Sequence, residues 1–156
     1  MVTEILDLFR FLGRSSKRQD RRRVNRQRPP KGTTVLIVDD SKTVMVSLRQ
    51  MLFQAGYNTL EAVDAESGMR LAREKQPDLI FMDVVLPGMN GFQATRLLSR
   101  AEQTRHIPIV VMSGNPSATE QFWVLKIGAS DFMTKPFSRK DVFQRVEKLL
   151  QLQGVA

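Results

Sequence analysis

Three acidic residues, a hydroxyl and an amine stand out in this chain because each sits at or just beyond the end of a short apolar run. Asp39-Asp40 follow Val35-Leu36-Ile37-Val38, and Asp83 follows Leu79-Ile80-Phe81-Met82. Ser113 follows Ile109-Val110-Val111-Met112, and Lys135-Pro136 lie just past Asp131-Phe132-Met133. If those runs are strands of one sheet, three carboxylates converge on one edge of it. Carboxylates packed that closely repel one another, and a hard divalent cation with oxygen ligands is the natural solution. Mg²⁺ keeps several waters, so one or two carboxylates and a carbonyl suffice to hold it. A carboxylate can also act as a nucleophile toward phosphorus, giving an aspartyl-phosphate. Such a transfer needs in-line positioning and neutralisation of the equatorial oxygens, work suited to a metal, Lys135 and the Ser113 hydroxyl. Other chemistries are poorly served. There is no cysteine, hence no thiolate nucleophile or thiolate metal site. No Ser-His-Asp arrangement and no Walker-type phosphate loop is visible.

The elements that must position these groups alternate regularly from Thr34 onward. Val35–Val38 is a β-branched run of the kind buried on both faces of a parallel sheet. In 41–55 the residues Val44, Leu48, Met51, Leu52 and Ala55 share one helical face, and Gly56 ends the helix. A weaker strand over 57–62 leads to a helix over 65–75. The strand 79–82 is followed by Pro-Gly and Asn-Gly turn signals within 86–91, then a helix over 92–102. The strand 109–112 precedes a loop in which Ser117 is placed to cap a helix over 118–127. Gly128 closes that helix, 131–133 is a short fifth strand, and Ser138 caps a last helix running from 139 to about 152. Five βα units in succession predict a doubly wound α/β fold with a five-stranded parallel sheet. In such sheets ligand chemistry lies beyond the carboxyl ends of the strands, near the topological switch point.

With 42% hydrophobic and 26% charged residues, the chain of 156 can bury a core and stay soluble. Its formal charge of +8 is unevenly placed. Residues 1–33 carry ten Lys/Arg against three Asp/Glu, whereas 34–156 carry fourteen against thirteen. The basic character belongs to the N-terminal extension, and nucleic-acid binding by the globular part loses its support. No apolar run approaches the roughly 20 residues that span a bilayer. Glu4 and Asp7 interrupt the N-terminal apolar stretch, which does not read as a secretory signal. These features lead us to expect a cytoplasmic protein.

The order and spacing of these residues resemble the response-regulator receiver family. The matching pieces are Asp39-Asp40, Asp83, Leu86-Pro87-Gly88-Met89-Asn90-Gly91, Ser113, and Gly128-Ala129 leading to Lys135-Pro136-Phe137, together covering nearly all of 34–152. The resemblance implies the (βα)₅ flavodoxin-like receiver fold, with Asp83 as phosphoacceptor. It implies Mg²⁺ held by Asp40, Asp83 and the backbone carbonyl of Val85, with Asp39 acting through water. Lys135 would contact the phosphoryl group, its bond to Pro136 being cis. Ser113 would move toward the phosphoryl oxygens and Phe132 would rotate inward behind it, a two-state packing switch. Phe132 stands where many receivers have Tyr, so a phenolic partner contact is lost. The stretch from Met82 to Arg96, with Trp123 on the fourth helix, is similar to the stand-alone PilH-like receivers of type IV pilus twitching-motility signalling, a chemotaxis-type pathway.

That resemblance implies a stand-alone response regulator, the chain ending soon after its fifth helix. A sensor histidine kinase would donate the phosphoryl group from a phosphohistidine. A downstream motor or effector protein would read the changed surface around the fourth helix, fifth strand and fifth helix. Such a domain catalyses its own phosphorylation and dephosphorylation and is a switch rather than a metabolic enzyme. A second reading is a phosphate sink that drains a shared kinase. Duller readings compete for single residues: Asp40 or Ser41 as a helix cap, Ser113 as a loop cap, Phe132 and Trp123 as packing, and His106, the sole histidine, as a solvated loop residue. In the extension, Ile5, Leu6, Leu8, Phe9 and Leu12 lie near one face of a short helix, followed by an Arg-rich run that has little to bury and reads as disordered. An apolar helix beside a polybasic segment is a two-signal arrangement for an anionic membrane surface. A partner-docking helix, a grip on nucleic acid (the less favoured reading) and a tail without a role are its rivals.

Overall fold

The computed structural model describes residues 29–114 and 117–154. Five strands, β1 (Thr34–Val38), β2 (Asn58–Ala62), β3 (Leu79–Asp83), β4 (Ile109–Ser113) and β5 (Asp131–Thr134), alternate with helices α1 (Lys42–Gln54), α2 (Ala65–Lys75), α3 (Gly91–Arg100), α4 (Ala118–Lys126) and α5 (Arg139–Gly154). All strand pairs are parallel, in the order β2-β1-β3-β4-β5. The chain steps outward from β1 to β2, then crosses back to place β3 on the other side of β1. The switch point therefore falls between β1 and β3. Val38 pairs with Met82, so Asp39 and Asp83, the next residue on each strand, leave the sheet side by side.

The sheet holds together by burying both faces. Leu36 and Val38 point to one side and Val35 and Ile37 to the other, all four fully buried. The first side packs with Ala65, Met69 and Ala72 of α2, Ala94 and Leu98 of α3, and Val124 of α4. The second packs with Met45, Leu48 and Leu52 of α1 and Val142, Phe143 and Val146 of α5. Full burial of each such aliphatic side chain contributes about 1.5–3 kcal/mol, and a parallel sheet needs this on both faces. That is why its strands read as continuous apolar runs rather than alternating ones.

Side-chain caps fix where the helices start. Ser41 Oγ accepts from the Val44 N–H, which settles the Asp40/Ser41 alternative in favour of Ser41. Asp64 accepts from Ser67 N–H at 2.7 Å. Asn90 and Gln93 form a reciprocal capping box at the start of α3. Ser117 caps α4 as expected, and Ser138 and Asp141 cap α5 reciprocally. The helix expected to reach Glu102 stops at Arg100. The chain there turns so that Thr104 Oγ1 donates to the Leu98 carbonyl at 2.7 Å, a buried bond that ends the helix from the C-terminal side.

The expected N-terminal helix and most of the basic run, residues 1–28, lie outside the described residues. Ordered pairing begins slightly before Thr34: the Asn58 N–H donates to the Thr33 carbonyl at 2.9 Å. The closest backbone approach is at Gly91. A Cβ there would stand 1.9 Å from the Asp83 carbonyl oxygen and 3.0 Å from the Val84 Cα. The Gly91 N–H donates to the Val84 carbonyl at 2.9 Å, so α3 is seated directly on the turn that follows β3. Gly91→Ala is expected to lower stability in urea unfolding by about 2 kcal/mol or more, since the clash is with backbone that cannot rotate away. Gly114→Ala, where nothing lies within 4 Å of the added methyl, should stay within about 0.5 kcal/mol of the parent.

Candidate functional site

The carboxyl ends of β1, β3, β4 and β5 bring the chemistry-bearing residues together. Asp39, Asp40 and Asp83 each offer a carboxylate oxygen, and these oxygens lie within 4.8 Å of one another. Lys135, just past β5, reaches across to them. Its Nζ donates to Asp39 Oδ2 at 2.6 Å and to Asp83 Oδ1 at 2.9 Å. Asp39 is only 1% exposed and its other oxygen accepts from the Ser41 N–H at 2.8 Å. It is held at both ends, with less freedom to take an ion than the exposed Asp40. Three oxygen donors of this kind, two buried and one open to solvent, fit a hard cation such as Mg²⁺.

Charge balance follows from burial. Burial pushes the Asp83 carboxyl above its ordinary value, and the neighbouring charges of Asp39 and Asp40 push the same way against the Lys135 hydrogen bond. For Lys135, burial by itself favours the neutral amine. Hydrogen bonds to Asp39 and Asp83, and the charges of both, outweigh it and leave the ammonium more basic than usual. One amine thus serves two carboxyl groups, with that of Asp40 a third close beside them.

The remaining expected residues fall around this centre. Lys135–Pro136 is cis. Val85 lies two residues beyond Asp83 with its side chain 76% exposed, at the rim of the site. Ser113 ends β4, buried, and its Oγ donates to Glu120 Oε1 at 2.8 Å. Phe132, expected to turn inward on phosphorylation, is already buried on the α2–α3–α4 side of the sheet. Arg145 fixes its backbone, donating from Nε to the Phe132 carbonyl at 2.7 Å. Trp123 is more than half exposed, in edge-on contact with Phe122, and His106 is a surface residue before β4. Two contributors went unread in the sequence. Gly91 registers there as a turn signal, not as the seat of α3 against the backbone of Asp83. Glu120 registers as an ordinary first-turn acid, because nothing local tells that its side chain reaches the end of β4.

A doubly wound sheet of this order with an acidic cluster and a lysine at its switch point defines a receiver domain. The response regulator receiver domain family matches residues 35–147, and the chain belongs to that family. It is 39% identical over 116 residues to protein PilH of Pseudomonas aeruginosa, across 74% of this chain and 96% of PilH. It is also 35% identical to the phosphate regulon transcriptional regulatory protein PhoB of the same species, but there it spans only 54% of the relative's length. Among solved structures, chemotaxis protein CheY4 of Vibrio cholerae superposes with a TM-score of 0.72 at 26% identity, over 76% of this chain and 99% of CheY4. The receiver domain of sensor histidine kinase PA1611 of Pseudomonas aeruginosa superposes with a TM-score of 0.71 at 28% identity, over 77% of this chain and 98% of that one. That structure holds a magnesium ion coordinated in its active-site cleft.

The electrostatics of the cluster predict how stability depends on charge. With the Asp83 value raised in the folded state, the native protein binds more protons than the unfolded chain just above the ordinary carboxylate range, so stability falls as pH rises through that window. Asp83→Asn should therefore raise the melting temperature of the metal-free protein at neutral pH and remove that part of the acid-range slope. Lys135 has the opposite consequence. Its raised value adds stability that is full below the ordinary lysine range and is lost as pH climbs through the folded-state value. Thermal melts across pH, with and without the substitution, check both signs.

Proposed function

We propose that this chain is a phosphoacceptor switch of a two-component phosphorelay, with Asp83 accepting a phosphoryl group from a phosphohistidine of a sensor kinase. The observation that carries the reading is the bridge from Lys135 Nζ to both Asp39 and Asp83 inside a cluster of three converging carboxylates. Lys135 engages Asp83 Oδ1, which leaves Oδ2 as the attacking oxygen. The new P–O bond forms on Asp83 as the donor's P–N bond breaks, and the released imidazole takes up a proton from solvent. Lys135 is placed to follow the charge as it moves from the carboxylate to the phosphoryl oxygens. Asp40 and Asp83, with the Val85 carbonyl, would hold Mg²⁺ directly, and Asp39, locked by Ser41 and Lys135, would act on it through water. When bound, the ion neutralises charge on the transferring group and on the carboxylates around it. Hydrolysis of the acyl phosphate by water returns the domain to its starting state, so it catalyses both halves of its own cycle.

The similarity to PilH over 96% of that protein's length supports placement in twitching-motility or chemotaxis-like signalling, with a motor or other effector as the reader. The exposed Phe122, Trp123 and Leu125 on α4 supply an apolar surface for such a reader. Among the described residues, no helix is long and apolar enough to cross a membrane. Attachment to a membrane surface rests on residues 1–33 and their charge, and is the natural reading of an apolar segment beside a polybasic one.

Intact mass measured after incubation with acetyl phosphate and Mg²⁺ tests the chemistry. The parent should gain one phosphoryl group, and the gain should vanish with a chelator or with Asp83→Asn. Asp40→Asn should retain the acceptor but require at least about tenfold more Mg²⁺, as expected when a metal ligand is weakened. Failure of the parent to take up either a phosphoryl group or beryllium fluoride would overturn the proposal.

A further inference from the structure

The Ser113 hydroxyl poses a counting problem. A serine hydroxyl carries one proton and can donate it to one acceptor at a time, while an ionised carboxylate can only accept. Here Ser113 Oγ donates to Glu120 Oε1 at 2.8 Å. Ser113 is 5% exposed and Glu120 half-buried, so water competes poorly for the bond. Glu120 is not a loosely hung side chain: its backbone N–H donates to the Ser117 cap at 3.1 Å, which fixes it in the first turn of α4. Ser113 stands at the end of β4, beside the strand that ends in Asp83, where Asp83 pairs with Met112.

We propose that Glu120 is a positioning residue that holds the Ser113 hydroxyl in its unphosphorylated arrangement, and that a phosphoryl group on Asp83 must win this proton from it. The inference rests on the phosphoacceptor reading above. A phosphoryl group brings nearly two negative charges and three strong acceptor oxygens. It therefore competes for the hydroxyl, and it repels the Glu120 carboxylate at the same time. Both effects act on the first turn of α4, so the helix carrying Phe122 and Trp123 feels the chemistry through the Ser113–Glu120 hydrogen bond. The Ser113–Glu120 bond sets how much of the binding energy of the phosphoryl group is spent on switching.

The test uses the full chain, Mg²⁺ and beryllium fluoride as the phosphoryl mimic, with fluorescence of Trp123, the only tryptophan, as the reporter. Glu120→Ala should tighten beryllium fluoride binding by about tenfold, the scale of a hydrogen bond to a charged group. Glu120→Gln, which keeps an accepting oxygen without the charge, should fall between the parent and Glu120→Ala, and serves as the informative variant if Glu120→Ala fails to fold. Adding Ser113→Ala to either variant should erase the gain, which a merely structural role for Glu120 would not produce. Unchanged or weaker binding in a folded Glu120 variant would overturn the inference while leaving the phosphoacceptor reading intact. Absence of binding in the parent would instead remove that reading, and the inference with it.

Discussion

The site depends on one ammonium group placed among three carboxylates. Asp39 and Asp83 emerge level from adjacent strands, and both are nearly buried. Two carboxylates so placed would be mutually destabilising without compensation. Lys135 supplies it from the far end of β5, through hydrogen bonds of 2.6 and 2.9 Å. Because these are charge-assisted bonds to partly buried groups, they are stronger than surface ion pairs. They also tie the two sides of the switch point to the opposite half of the sheet. The balance is incomplete, since Asp40 places a third carboxylate beside the pair, and three such oxygen donors fit a hard cation.

The rest of the fold serves to keep that arrangement rigid. Both sheet faces are packed, so the strand ends cannot shift independently. Gly91 lets α3 sit against the carbonyl of Asp83 itself, which sets that residue's backbone from behind. Ser41 does two jobs within one turn, capping α1 with its side chain and holding Asp39 with its N–H. Around Ser113 and Phe132, side chains reach in from neighbouring helices: Ser113 Oγ donates to Glu120 of α4, and Arg145 of α5 donates to the Phe132 carbonyl. Phe132 is buried against α2, α3 and α4 in this same arrangement.

Much of the architecture could be read in the chain. Val35–Val38, Leu79–Met82 and Ile109–Met112 are β-branched or large apolar runs too short for helices, and parallel sheets buried on both faces demand such runs. Ser117 and Ser138 mark helix starts because capping needs that residue type, and the Asn-Gly pair marks a turn. The weaker strand over 57–62 was legible mainly from its neighbours, since Asn58, Thr59 and Glu61 carry little apolar signal and it pairs at the sheet edge. The end of α3 was misread by two residues because Thr104 acts from beyond the helix, where propensity says nothing.

Sequence by itself determined the alternation of elements and the identities of the groups at each strand end, because backbone propensity and strand burial act over a few residues. It also implied that Asp39, Asp40, Asp83, Ser113 and Lys135 belong together, once the order of the βα units is granted. Tertiary structure decided what those groups hold in the resting protein. That Lys135 bonds Asp39 as well as Asp83 depends on β1, β3 and β5 ending at a common edge. That Ser113 gives its proton to Glu120 depends on where α4 docks, seven residues later in the chain. That Gly91 must be glycine for lack of space, and not merely for turning, depends on the 1.9 Å separation between a would-be side chain and the backbone of Asp83. Each of these is a distance between elements, and distances between elements are fixed by packing, not by the residues nearest in the chain.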